Sequence, residues 1–273
     1  METKLTHIIL IFLCLMVVTL LTSCSEDVIT VDLNSVDPQI VIEGRVIEGS
    51  GPHVVVITKT TDYFEPSDFP RVENAGVIIS DNAGNSATLV EEEPGLYTTS
   101  GITGVTGRTY TLTVDAEETR YTATSTMHEP SHIDSLSFEI EDETRDEEWY
   151  IVHCYFTDTE GIDEFYRFNI MLNNDDQGYY MYQDRLTDGN EIHYEMNVFD
   201  EKVVNGDIIV VEMQAIDRGV YEYFSTLGNA SAADGSMGMF SGTPANPTTN
   251  MSGDALGYFS AYISRADTLV VEK

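Results

Sequence analysis

Apolar and polar residues alternate with a period of two through most of the chain. Over 109–114, Tyr110, Leu112 and Val114 share one parity and Thr109, Thr111 and Thr113 the other. On a strand that places the first set toward a core and the second toward solvent. Alternating or β-branched runs also occupy 39–46, 53–59, 76–81, 87–90, 95–98 and 120–125. Between them, Asp81-Asn82-Ala83-Gly84-Asn85 and Glu93-Pro94-Gly95 supply residues that tolerate positive φ or preset the φ of a turn. Seven short strands at this spacing predict a β-sandwich over 37–128.

Met127-His128-Glu129-Pro130 ends the run, because proline has no N–H for a central strand and holds the residue before it extended. A domain boundary is placed there. Beyond it, 133–140 alternates cleanly and 141–148 is a charge run of the kind that forms a solvated loop. Strands are expected over 150–156, 164–172, 179–183, 192–199 and 208–215. One stretch, 217–228, has helical periodicity: Asp217 can cap it, Val220, Phe224 and Leu227 fall on one face, and Gly228 can end it. A loop of small residues fills 229–254 before an apolar strand over 255–262. The expected class is mainly all-β, with a second β-rich domain at 129–273 that carries one short helix.

The N-terminus departs from this pattern. Lys4 and His7 precede an apolar run over 8–20, which falls short of the roughly 20 residues needed to cross about 30 Å of hydrocarbon and is built like a signal peptide. Leu21-Thr22-Ser23-Cys24 looks like a lipobox: an apolar residue, two small ones and a thiol that can take lipid. Residues 1–23 are therefore expected to be removed, Cys24 to carry acyl chains, and 24–36 to act as a tether. Each buried methylene contributes about 0.8 kcal/mol, and stable attachment takes more than one chain. No basic patch is then required, and Ser25, Glu26 and Asp27 form a polar, acidic start instead.

Charge narrows the function classes. With 47 Asp plus Glu against 13 Lys plus Arg and a formal net charge of -34, the surface repels phosphate backbones and excludes nucleic-acid binding. Yet 42% hydrophobic residues and 15 tyrosines are too many for an acidic disordered chain. Cys14 leaves with the signal peptide and Cys24 takes lipid, so Cys154 has no disulfide partner. On a strand His153 points to the face opposite Cys154, which then reads as a small buried hydrophobe and not a nucleophile.

The histidines are scattered, and there is no His-Glu-x-x-His, Gly-x-Ser-x-Gly or phosphate-binding glycine loop. No enzyme is expected. Calcium is the cofactor left open: Asp175 and Asp176 in one segment, and Asp184, Asp188 and Asn190 in the next, place oxygen ligands in short turns. Both segments also read as ordinary hairpin turns. In the low-charge loop, Met237, Met239, Phe240 and Met251 suit a protein contact that must adapt its packing; alternatively Met239 and Phe240 plug the end of the C-terminal domain.

Several of these segments also carry a family resemblance. Pro70 to Val77 begins a strand, and Gly95-Leu96-Tyr97 places a Gly-x-Tyr, as prealbumin-like and immunoglobulin-like surface modules do. Val41-Ile42-Glu43-Gly44, Ile79 to Asn85, Gly107 to Leu112, Phe156-Thr157-Asp158, Pro244-Ala245-Asn246-Pro247 and Leu256 to Ala261 together resemble the Bacteroidota lipoproteins grouped as domain of unknown function 4249. The resemblance implies an outer-membrane lipoprotein of no established activity, often encoded beside TonB-dependent transporters. In that phylum, acids such as those of Ser25-Glu26-Asp27 resemble the address for the outer face of the outer membrane. The expected role is a non-enzymatic binding or accessory protein facing the cell exterior, partnered with a TonB-dependent transporter in nutrient uptake. A surface adhesion or structural module, stabilised by calcium, is the alternative.

The lipobox makes a direct prediction: Cys24→Ala should abolish incorporation of labelled palmitate. Equal label on wild type and variant would refute it.

Overall fold

A computed structural model describes residues 37–61, 69–140, 150–184, 189–198, 203–232 and 246–272, the side chains of 229–232 excepted. The alternating runs become strands: β1 (Ile40–Ile47), β2 (His53–Lys59), β3 (Gly76–Asp81), β4 (Ser86–Thr88), β5 (Val90–Glu93), β6 (Leu96–Thr99), β7 (Thr109–Ala116) and β8 (Thr119–Thr126). The second half supplies β9 (Ile133–Ile140), β10 (Tyr150–Thr157), β11 (Phe165–Leu172), β12 (Asp175–Gln183), β13 (Glu191–Val198), β14 (Ile208–Ile216) and β15 (Leu256–Val270). Tyr110, Leu112 and Val114 are fully buried, whereas the threonines between them are half-buried. The chain is all-β apart from one helix among the described residues, α1 (Arg218–Ala232).

Local chemistry explains the element ends. Asp217 caps α1, its Oδ1 accepting the Val220 N–H at 3.1 Å, while its Oδ2 accepts the Thr126 N–H at 3.2 Å and ties the helix start to β8. The helix runs past Gly228 to Ala232. Between β11 and β12, Asn173 and Asn174 both take positive φ, 52° and 74°, the two-residue turn that matches strand twist. This starts β12 at Asp175, earlier than the alternation suggested. Tyr97 of the Gly-x-Tyr is buried; its hydroxyl donates to the Val72 carbonyl at 2.9 Å and accepts the Ala75 N–H at 2.9 Å, pinning the approach to β3.

The described strands form three sheets. The largest has the order β12-β11-β14-β15-β1-β2-β6-β5, the second β13-β10-β9 and the third β4-β3-β7-β8. One core, with Ile42, Val55, Ile79, Leu112 and Phe259, holds the four-stranded sheet to the long sheet. A second core, with Val152, Phe156, Phe168, Ile170 and Val211, holds the three-stranded sheet to the other end. Met251, Ala255, Phe259, Ala261 and Ile263 are part of the first core, so residues 37–128 do not complete their own sandwich. The long sheet runs through both halves because β15 pairs in parallel with β1 from Leu256 to Tyr262 and antiparallel with β14 from Ile263 to Val270.

The β1–β15 pairing requires a close approach of backbones. A Cβ on Gly257, at φ 95°, would stand 2.1 Å from the Ile42 carbonyl oxygen. Gly84 also has positive φ, 89°, but in open space. Gly257→Ala should therefore cost about 3 kcal/mol or more by chemical denaturation, and Gly84→Ala about 1–2 kcal/mol from backbone strain alone. Equal costs would mean that the close approach is not what requires Gly257.

Candidate functional site

Period two leaves the long sheet a second face, turned away from both cores. Strand β11 contributes Arg167 and Asn169 to it, β14 Glu212 and Gln214, β15 Tyr258, Ser260 and Tyr262, and β1 Arg45. One end of this face is covered by α1, whose Val220, Tyr223 and Phe224 pack with Phe165, Ile216 and Tyr258. Beside the helix lies a cleft of about 310 Å³ lined by those polar and aromatic residues. A neighbouring hollow of about 520 Å³ shares Arg45, Glu212 and Tyr262 with it, so the two adjoin on one face and each is of ligand-binding size.

Arg167 lines the cleft. Its guanidinium lies 4.1 Å from the centre of the Phe224 ring and 4.9 Å from that of Tyr179, a contact that favours the cation. Its Nε is buried and makes no hydrogen bond among the described residues. The Glu212 carboxylate on the same face is engaged elsewhere, accepting the Asn169 amide at 2.9 Å and the Gln214 amide at 3.1 Å. Burial pushes the Tyr258 and Tyr262 phenols above their usual range, so they serve as neutral donors with apolar ring faces.

A second constellation lies on the outer face of the three-stranded sheet. His153 on β10 faces Glu195 on β13, and His193 stands two residues before Glu195 on the same face. His153 Nδ1 is 2.9 Å from His193 Nε2, and Glu195 Oε1 is 3.8 Å from both nitrogens. Sequence reasoning missed this trio because its histidines are separated by 40 positions and only the β10–β13 register joins them. The one legible signal was His193-x-Glu195, two potential ligands with one residue between them, which share a face of a strand.

Of the residues singled out from sequence, Cys24, Ser25, Glu26, Asp27, Asp188, Met237, Met239 and Phe240 lie outside the described residues. Met251 corrects the expectation of a partner-facing side chain: it is 6% exposed in the first core, and its backbone bridges Ala123 of β8. Its thioether fills a gap between strands and has no surface to offer. Asp175 and Asp176 sit at one end of β12 and Asp184 just beyond the other, a strand length of roughly 25 Å apart. They do not form one site. Asp176 Oδ1 accepts the Gly178 N–H at 2.8 Å, the role of an ordinary turn residue. Cys154 is fully buried and its thiol is pushed up to about 12, foremost by burial.

Asp184 and Asn190 lie instead beside a buried pair of acids. Asp158 and Glu164 are 4% and 7% exposed. Asp158 donates its N–H to the Asn190 carbonyl at 3.0 Å and takes the Gly189 N–H on Oδ2 at 2.8 Å. Its Oδ1 meets no donor, and the group it can share a proton with is the Glu164 carboxyl. Burial first, then that shared proton and the Asp184 charge, raise Asp158 to about 6.

Residues 26–267 match a family model described as Domain of unknown function (DUF4249). No curated protein matches the sequence. Among solved structures the chain is similar to the Yersinia pseudotuberculosis adhesin InvE at 14% identity, over 64% of this chain and 55% of that one, with a TM-score of 0.21. This chain thus spans about half the length of that neighbour, and so partial a superposition carries no inference about fold or activity.

The acid pair yields a pH prediction. A carboxyl whose folded pKa is raised binds more protons in the native state, so its contribution is present below about pH 4 and is lost as pH rises through about 6. Asp158→Asn keeps an acceptor for Gly189 and removes the buried charge. It should be more stable than wild type by about 1–2 kcal/mol at pH 7, with the difference vanishing toward pH 4 in urea titrations. A variant destabilised at both pH values would show that the ionised Asp158 is the native form.

Proposed function

We propose that this chain, which belongs to the DUF4249 family, is a non-enzymatic binding protein, held by lipid on Cys24 at the outer face of the outer membrane. There it captures a small ligand in the groove on the open face of its long sheet and hands it to a TonB-dependent transporter. The observation that carries the binding reading is Arg167: a half-buried guanidinium that lines the cleft, rests against the Phe224 and Tyr179 rings, and pairs with no carboxylate among the described residues. The terminal N–H groups of that guanidinium are charge-assisted donors for an anion bound in the cleft.

Arg45 adds a second guanidinium at the rim, and the neutral phenols and amides around it can orient a polar ligand. The chemistry fits a small carboxylate-bearing molecule. The lipobox and the acids after Cys24 support the location, and the family resemblance supports the transporter partner.

Calorimetric titration with glucuronate, galacturonate and short peptides, each beside its neutral amide or alcohol, tests the ligand. A carboxylate should bind in preference to its neutral partner, and Arg167→Met should weaken it about 10- to 100-fold, the contribution of a charge-assisted hydrogen bond. Affinity unchanged in Arg167→Met, or no preference for the carboxylate in any pair, would overturn the reading. Crosslinking in intact outer membranes tests the partner: a β-barrel transporter should be captured, and its absence would separate the chain from uptake.

A further inference from the structure

We propose that the outer face of the three-stranded sheet binds one divalent transition-metal ion of the zinc class through His153, His193 and Glu195, with Glu139 positioning His153. The site is separate from the groove on the long sheet and does not depend on it.

Three potential ligand atoms lie close together here. His153 Nδ1, His193 Nε2 and Glu195 Oε1 form a triangle with edges of 2.9, 3.8 and 3.8 Å. The point equidistant from its corners lies about 2.1 Å from each, the length of a Zn–N or Zn–O bond, and the two imidazoles, aimed at one another in the ion-free protein, must turn toward it. Cross-strand register produces this arrangement: Glu195 is directly opposite His153, and His193 opposite Tyr155. A residue, its cross-strand partner and the diagonal neighbour are the closest side chains on one face of an antiparallel pair. A sheet thereby does what His-x-x-x-His does on a helix.

The surroundings hold the ligands in place. Tyr155 stacks on the His193 ring at 4.5 Å and 9° between planes, which limits its rotation. Glu139 Oε2 on β9 is 3.7 Å from His153 Nε2. With the proton of His153 on Nε2, facing that carboxylate, the Nδ1 lone pair is free for a metal, the relation that orients most metal-binding imidazoles. In the ion-free protein the two histidines share an N–H···N hydrogen bond. The ion replaces it once that proton moves to the far nitrogen of its own ring.

Donor chemistry selects the cation. Two imidazole nitrogens and one carboxylate suit zinc, copper or nickel, whereas calcium and magnesium take oxygen ligands. The His193 and Glu195 side chains are 43% and 55% exposed, so the remaining coordination position opens to solvent. An ion there can bind water or an outside ligand, as three-ligand sites do. The net charge of -34 also raises the local concentration of cations.

The test uses the full-length chain in detergent, stripped with chelator and titrated with ZnCl₂. The many surface acids will add weak heats, so the comparison is with single-residue variants that leave the other acids in place. Wild type should show one tight site, lost at least tenfold in His193→Ala and in Glu195→Gln, and lowered less in Glu139→Gln. CaCl₂ and MgCl₂ should leave the site empty in competition. A cobalt-loaded sample should show the intense visible absorption of a four-coordinate ion, absent in His193→Ala. Zinc heats that are the same in wild type and His193→Ala, or cobalt spectra of the hexa-aquo form, would overturn the proposal and leave a histidine pair that serves only as a hydrogen bond.

Discussion

Everything else in the fold depends on how β15 passes between β1 and β14. Fifteen residues long, it belongs to two partners in turn, parallel to β1 over its first half and antiparallel to β14 over its second. The parallel half brings the Gly257 Cα against the Ile42 carbonyl, where no side chain fits, and seats the Phe259 ring beside Gly44. Because a parallel pair cannot be closed by a tight turn, almost the whole chain between β1 and β15 becomes the connection. The two cores are thereby built on one sheet, and residues from Pro38 onward form one compact unit. The expected boundary at Glu129-Pro130 falls where the chain leaves β8 for β9, and the long sheet continues across it.

A shared sheet sorts its chemistry by face. Side chains toward the two cores are apolar almost without exception, and the smaller sheets cover them. Among the described residues the open face has only α1 to cover it, so at its centre the strands can carry Arg167, Asn169, Glu212 and Tyr262 within reach of water. The half-buried Arg167 guanidinium is tolerable there because it rests against the Phe224 and Tyr179 rings. On the far side, the outer face of the three-stranded sheet has no layer over it among the described residues, and it is there that His153, His193 and Glu195 meet. The two candidate sites thus occupy the surfaces that a sandwich leaves free.

The candidate sites were less legible than the fold. Asp217 as a cap, Cys154 as a buried hydrophobe and the alternation of Tyr110, Leu112 and Val114 could each be read locally, because each follows from a residue and its immediate neighbours. Met251 misled for the same local reason: a methionine among small polar residues looks exposed until β8 is placed against it. Asp175 and Asp184 looked alike as turn acids, but the length of β12 separates them, and Asp184 came to lie beside Asp158 and Glu164. Arg167 carried no signal at all, since an arginine in an alternating strand is an ordinary solvent-facing residue.

What the sequence determined by itself is therefore the period-two pattern, the turns, the helix cap and the all-β class, together with membership in the family over residues 26–267. These rest on contacts between residues close in the chain. Tertiary structure alone decided the pairing of β15 with β1, the sharing of one sheet by two cores, and the meeting of His153 with His193 and of Arg167 with Phe224. Each joins residues 40 or more positions apart, and no local periodicity records which strand lies beside which. Strand order is chosen by the fit of whole apolar faces, and the polar groups on the opposite faces are brought together by that choice.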